Sequence, residues 1–317
     1  MKALLAALAL ILAVPALAAD PTHMTPTLSE GRIVTWPALD GGEAGKMTVW
    51  VWLPPGYDEA KSKKFPVLYM HDGQNLFDKA LTGYNQEWQM DEAIPRMARQ
   101  GDLRSWIVVG VQSPKSRYRA LFPQKIFELL PADFQKRVTD LDIGEPKSEF
   151  AGDAYLKFMV ETLKPRIDRD FRTLKGPEDT AVMGSSMGGL MAFYAMAEYP
   201  QVFGQAAAVS MHVGLAMSSE KGVDHNKVAG DAAEAFRQYL ATSKMKPGAN
   251  RLYIDHGTGT LDGSYGPYSA ALMPVLGAAG WKGPHLMFRT YAGAEHNETA
   301  WAQRVDIPLA FLDRKDP

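Results

Sequence analysis

Apolar residues in this chain of 317 cluster in short runs: Met47 to Leu53, Phe65 to Met70, Trp106 to Val111, Thr180 to Met183, Gln205 to Val209, Arg251 to Asp255 and His285 to Tyr291. Most are apolar at successive positions rather than at alternate ones, which is the pattern of central strands covered on both faces. Between them, apolar residues at three- and four-residue spacing predict helices near Glu87 to Arg99, Phe150 to Asp170, Gly188 to Glu198, Asp231 to Ser243, Tyr268 to Ala279 and Glu298 to Leu312. Strand and helix alternate, so the pattern predicts an α/β fold with a mostly parallel sheet flanked by helices. Ser113 to Ser148 breaks the rhythm, being polar and proline-punctuated with Arg117, Tyr118, Arg119, Phe122, Phe127 and Phe134; Met211 to Val228 is a second irregular stretch. Neither reads as an interdomain linker, so a single domain over residues 20–317 is expected, with an inserted loop region at about 113–148. Long excursions of this kind tend to line a site.

The first residues follow a different pattern. Met1-Lys2 precedes an apolar run from Ala3 to Val14, and Ala16 and Ala18 supply an A-x-A site. Residues 1–19 therefore read as a cleavable signal peptide, and a periplasmic or secreted location is expected. No later run supplies the roughly 18 uninterrupted apolar residues of a membrane span. Cysteine is absent, which removes disulfides, thiolate chemistry and Cys-based metal sites. A formal charge of −2 without a long basic run argues against a nucleic-acid partner.

Chemistry enters at Gly184-Ser185-Ser186-Met187-Gly188, a G-x-S-x-G frame between a predicted strand and a predicted helix. That context fits a nucleophile elbow, in which Gly184 and Gly188 let strand and helix approach around Ser186. The competing use of such a serine is to cap the helix. A serine hydroxyl needs a base and an orienting acid, and on the α/β-hydrolase fold these follow in the order Ser, acid, His. His212, His225, His256, His285 and His296 follow Ser186. His296 is the best base, since its loop follows the His285 to Tyr291 strand and precedes a helix. His285 belongs to the other end of that strand, and His212 lies where it could touch a substrate. For the acid, Asp262 sits in the loop beyond the Arg251 to Asp255 strand and is favoured over Asp255 at the strand end. The oxyanion donors would be the backbone N–H of Met187 and that of Gly73 or Gln74, in the loop after Phe65 to Met70. His71 and Asp72 have no further ligands at metal-site spacing, so no metal or cofactor is expected.

Four motifs occur together: H-D-G-Q-N-L-F-D from His71 to Asp78, G-S-S-M-G-G-L from Gly184 to Leu190, H-G-T-x-x-L-D from His256 to Asp262, and G-A-E-H-N-E-x-x-W from Gly293 to Trp301. As a set they resemble the putative esterase family, which is similar in fold to enterochelin esterases, feruloyl and acetyl-xylan esterase domains, S-formylglutathione hydrolase and the mycolyltransferases. The resemblance covers roughly Val34 to Leu312. It implies an α/β-hydrolase fold, a Ser-Asp/Glu-His triad with Ser186 and His296, no cofactor, and ester substrates. Several relatives carry a carboxylate soon after the pair that is Gly259-Thr260 here, which keeps both Asp262 and Asp255 open. Exported carboxylic ester hydrolysis, on carbohydrate or on siderophore or phenolic esters, is the expected activity. An acyltransferase and a non-catalytic ligand-binding protein on the same scaffold are the alternatives. Trp88, Tyr84 and the aromatic and basic residues from Arg117 to Phe134 are either substrate contacts or core.

Overall fold

A computed structural model describes residues 25–82, 84–145, 148–215 and 223–313. The signal peptide expected at residues 1–19 lies outside the described residues, as do residues 216–222 of the second irregular stretch. Eight strands form one sheet: β1 (Arg32–Asp40), β2 (Lys46–Leu53), β3 (Val67–His71), β4 (Ile107–Val111), β5 (Thr180–Ser185), β6 (Gln205–Val209), β7 (Arg251–Gly257) and β8 (Leu286–Tyr291). Their order is β1-β2-β4-β3-β5-β6-β7-β8. The pairs β1–β2 and β2–β4 are antiparallel, and every pair from β4 to β8 is parallel.

Alternation along the strands divides the core in two. Val49, Val51, Tyr69, Val109, Val182, Ala208 and Ile254 face one layer, with Leu156, Leu190, Phe236 and Leu272 from the helices. Trp50, Trp52, Leu68, Met70, Val108, Met183, Ala207 and Tyr253 face the other, with Ile94, Trp301 and Leu309. Successive side chains of a strand point to opposite faces, so an uninterrupted apolar run fills both layers. The parallel register keeps the carboxyl ends level: Met70 lies opposite Met183, Ser185 opposite Val209, Ala208 opposite Ile254, and Gly257 opposite Tyr291. Loops leaving those ends, including the ones that carry Asp72, Ser186, Asp262 and His296, therefore emerge along one edge of the sheet.

Three differences from the sequence pattern have physical causes. The apolar pattern does not predict strand β1. It is a half-exposed edge strand with Pro37 inside it and a bulge between Trp36 and Leu39, features an edge tolerates and that hide its period. The helix expected over Phe150 to Asp170 runs Gly152–Lys157 and Lys164–Asp170 with a π-helical stretch, Phe158–Leu163, between them. Pro165 cannot donate within a regular α-helix, and the wider turn, with Lys164 N–H donating to Met159 O, accommodates it. The helix expected over Glu298 to Leu312 is two, Glu298–Ala302 and Asp306–Leu312, separated by a turn. Pro308 fits the first turn of the second helix, where its missing N–H has no acceptor to satisfy.

The stretch 113–148 is not irregular throughout. It contains the helices Arg117–Ala120, Gln124–Phe127 and Ala132–Asp140, whose Tyr118, Ile126, Phe134 and Val138 are buried in the first layer together with Phe122 from the turn between the first two.

Close approach at the elbow makes the sheet intolerant there. A Cβ on Gly184 would stand 2.7 Å from the backbone carbon and oxygen of Gly188. Gly184→Ala is expected to destabilise the fold by about 2 kcal/mol or more, lowering the thermal midpoint by roughly 4 °C. A midpoint unchanged by calorimetry would mean that strand and helix do not meet this closely.

Candidate active site

Strand β5 ends at Ser185, and the helix Met187–Glu198 begins at the second residue beyond it. Ser186, between them, takes φ 58° and ψ −122°, a conformation that disfavours any residue with a Cβ by roughly 1–3 kcal/mol. Neighbours hold it there. Ser186 N–H donates to Val209 O at 3.0 Å, and its carbonyl accepts from Leu190 at 3.0 Å and His212 at 3.2 Å. The side chain does not cap the helix; burial pushes the Tyr265 hydroxyl well up, and the Ser186 side chain acts on it in the opposite direction. Tyr265 is buried, accepts or donates at 2.8 Å with His212 Nδ1, and meets the His296 ring edge-on at 5.7 Å.

Asp262 lies in a 3₁₀ turn, Thr260–Ser264, beyond β7, and is 1 % exposed. Oδ1 is 2.5 Å from His296 Nδ1. Oδ2 accepts from Ser210 Oγ and from Gly257 N–H, each at 2.6 Å. Burial pushes this carboxyl up, but His296, Ser210 and Gly257 outweigh it and hold it below the usual range. The two loops are also joined through their backbones. Thr258 and Gly259 donate to Ala294 O, and the Thr258 and Thr260 hydroxyls accept from Gly293 and His296. A Cβ on Gly257 would stand 2.1 Å from Ala294 O, so glycine is what lets the Asp262 and His296 loops touch.

Asp255 has a different setting. It receives both arms of Arg304, at 3.1 and 3.0 Å, together with Ser210 N–H at 2.8 Å and the Tyr253 hydroxyl at 2.7 Å. Among the described residues no hydrogen bond joins it to His296; through Ser210 N–H it anchors the end of β6. Arg304 Nη2 and Trp301 Nε1 each donate to Ser210 Oγ at 2.9 Å, so that hydroxyl is left with its proton for Asp262. Trp301 closes the fourth motif, whereas Arg304, Ser210 and Tyr265 in these roles carry no signal in the sequence, because segments far apart along the chain bring them together.

At the end of β3, Asp72 adopts φ 57° and opens the 3₁₀ turn Gly73–Asn75. Its carboxylate takes a bidentate pair from Arg117, at 2.6 and 2.7 Å, and a hydrogen bond from the Ser113 hydroxyl. Burial opposes ionisation of Asp72, yet Arg117 and Ser113 hold its carboxyl below the usual range. A Cβ on Gly188 would come within 3.0 Å of Asp72 Oδ2, so this turn lies against the elbow. Gly73 in turn packs on the backbone of Gly110 and Val111, at 2.4 and 2.6 Å from its Cβ position. Gln74 exchanges side-chain contacts with Ser113, and Asn75 N–H closes the turn on Asp72 O. Met187 opens its helix, where N–H groups lack intrahelical acceptors.

Other candidates separate from this cluster. His256 faces Phe288 and Thr290, and His285 precedes β8 at the far end of the sheet. Trp88 is buried against Trp301, with ring centroids 5.5 Å apart, and is core. Arg119 lies over Phe150, while Tyr84 is 60 % exposed. Among the described residues, no group of three or more His, Asp or Glu stands close enough to hold a metal ion, and no helix is long and apolar enough to cross a membrane.

A serine on a positive-φ elbow at the carboxyl edge of a largely parallel sheet, with an acid and a histidine joined on later loops, has the layout of the α/β-hydrolase fold. A family model described as putative esterase matches residues 44–306. The chain belongs to that family, and is a carboxylic ester hydrolase. YbbA of Bacillus subtilis, a protein of uncharacterized activity, is 23% identical over 221 residues, 70% of this chain and 72% of YbbA. A ferulic acid esterase superposes with a TM-score of 0.61 at 17% identity, over 90% of this chain and 99% of that one. The enterobactin esterase Fes of Shigella flexneri gives 0.56 at 14%, over 92% and 62%. The BES protein of Bacillus cereus gives 0.60 at 17%, over 92% and 99%.

Burial of charged and titratable groups has consequences for stability. Arg304→Met leaves Asp255 as a buried charge without its partner and is expected to destabilise the protein by about 3–5 kcal/mol in urea titration; a loss below about 1 kcal/mol would show the pair to be dispensable. Burial pushes His71 down to about 4 and His212 down to about 3, with the Arg117 charge adding to both effects and His296 to the second. Below the ordinary histidine range the unfolded chain binds protons that these two sites refuse. Each thus removes stability as pH falls from about 6.5 toward its folded value. Side-chain NMR should find both neutral at pH 5, and a midpoint above 6 for either would contradict their burial.

Proposed function

We propose that Ser186, His296 and Asp262 form a nucleophile, base and acid that cleave a carboxylic ester through an acyl-enzyme. The observation that supports this most is the 2.5 Å contact between His296 Nδ1 and the buried Asp262 carboxylate, beside a serine held at φ 58°. With Nδ1 engaged as a donor to the carboxylate, Nε2 is the basic atom. Ser186 loses its proton to Nε2 and attacks the ester carbonyl. Met187 N–H and that of Gly73 or Gln74 receive the developing oxyanion. His296 then protonates the departing alcohol, and water repeats the sequence to release the acid. Asp262 remains ionised throughout and stabilises the imidazolium.

The substrate reading is a carbohydrate ester, or a siderophore or phenolic ester, met by an exported enzyme. It is supported by the N-terminal segment and by structural neighbours that include a feruloyl esterase module from Clostridium thermocellum complexed with sinapinate, at 16% identity and a TM-score of 0.56 over 93% of this chain and 92% of that one. Rates on feruloyl, acetyl and catecholate esters, compared at equal enzyme, would rank these classes.

Turnover of p-nitrophenyl acetate tests the roles. Ser186→Ala should lower kcat by about 10⁴-fold or more while circular dichroism stays native. Asp262→Asn should lower kcat by roughly 10²- to 10⁴-fold, whereas Asp255→Asn should act mainly on stability. Substantial turnover by Ser186→Ala would remove the serine from the mechanism.

A further inference from the structure

The turn after β3 and the loop carrying His296 come from opposite ends of the chain, yet one hydrogen bond joins them. Asn75 Nδ2 donates to Glu298 Oε1 at 2.8 Å, across 223 residues of sequence. Both side chains are 6 % exposed. Glu298 opens the helix Glu298–Ala302, two residues beyond His296. Asn75 has its backbone fixed on both sides, its N–H donating to Asp72 O and its carbonyl accepting from Trp88, each at 2.9 Å. The bond therefore ties the turn that carries Gly73 and Gln74 to the helix that follows His296. The helix side has its own support, since Asn297 caps it by accepting from Ala300 N–H.

A carboxyl is a costly choice for a buried strut, because desolvation disfavours its charge. Burial, with the Asp72 charge adding to it, pushes Glu298 up to about 7, while Arg117 and Asn75 act the other way. Tyr84 also interacts with it electrostatically. Oε1 accepts from Asn75 whichever state the carboxyl is in, since a proton can reside on Oε2. The acceptor atom rather than the charge is thus what the geometry uses.

We propose that Glu298 is a positioning residue which, through Asn75, sets the separation between the oxyanion turn and the His296 loop. The proposal rests on the triad reading above. Displacing one catalytic group by about 1 Å can lower a rate by about 10²-fold, so the strut acts on kcat and little on substrate binding. Arg117 braces the same turn from its other side through Asp72, which leaves the turn folded when the strut is removed.

Steady-state kinetics on p-nitrophenyl acetate, with folding checked by circular dichroism, decide the matter. Glu298→Ala should lower kcat by about 10- to 100-fold with KM within about threefold. Glu298→Gln keeps the acceptor and should stay within about threefold of the unaltered protein in kcat. Asn75→Ala should match Glu298→Ala, and the double variant should be no slower than either single one. A folded Glu298→Ala with unchanged kcat, or a Glu298→Gln as slow as Glu298→Ala, would overturn the proposal. If Glu298→Ala fails to fold, Asn75→Ala and Glu298→Gln decide the question between them: a slowed Asn75→Ala beside a near-normal Glu298→Gln supports the strut, and any other pairing overturns it. An inactive Ser186→Ala beside an unaffected Asn75→Ala overturns the strut alone; an active Ser186→Ala overturns the triad and the strut with it.

Discussion

The Asp262 carboxylate is the contact around which the carboxyl edge of the sheet is organised. A buried carboxylate is tolerable only when donors surround it. Here they come from three places: Gly257 at the end of β7, Ser210 just after β6, and His296 on the loop after β8. Each donor is fixed in turn. Ser210 takes φ 42° and receives Trp301 and Arg304; Arg304 is held by Asp255, and Asp255 by Tyr253. A single ionised group in the interior thereby requires three loops to adopt one arrangement. The same arrangement sets the His296 imidazole edge-on to the Tyr265 ring.

The elbow supplies a second constraint of a different kind. Backbone sterics hold Ser186 in its disfavoured conformation, with glycine at 184 and 188 so that strand, helix and the Asp72 turn can crowd together. Strain of this sort persists only where its surroundings over-determine it. Here those surroundings are the Val209 and His212 backbone contacts and the apolar helix packed between β5 and β6. Packing thus fixes the serine, while a polar network fixes its partners.

Much of this is legible in the chain. Continuous apolar runs mark seven of the strands to within a few residues, most of them because a strand covered on both faces is apolar at successive positions. The elbow is legible because small residues must flank it, and His296 stands out because its loop lies between a strand and a helix. Position in the chain favours Asp262, beyond the strand, without excluding Asp255 at its end; in the structure they differ in partner, His296 for the first and Arg304, from a turn 49 residues on, for the second. Edge strand β1 is hidden by Pro37 and a bulge. The aromatic residues from Tyr118 to Phe134 are open to two readings, and the short helices that carry them turn most of them inward, which a polar, proline-punctuated pattern does not reveal.

The central claim is a covalent intermediate on Ser186, and intact-mass spectrometry of protein quenched in acid during turnover of a slow p-nitrophenyl ester reads it directly. One acyl group per chain is predicted, located on the peptide that contains Ser186, and none in Ser186→Ala. An adduct on another residue, or steady turnover under the same conditions with no adduct at all, would contradict the acyl-enzyme.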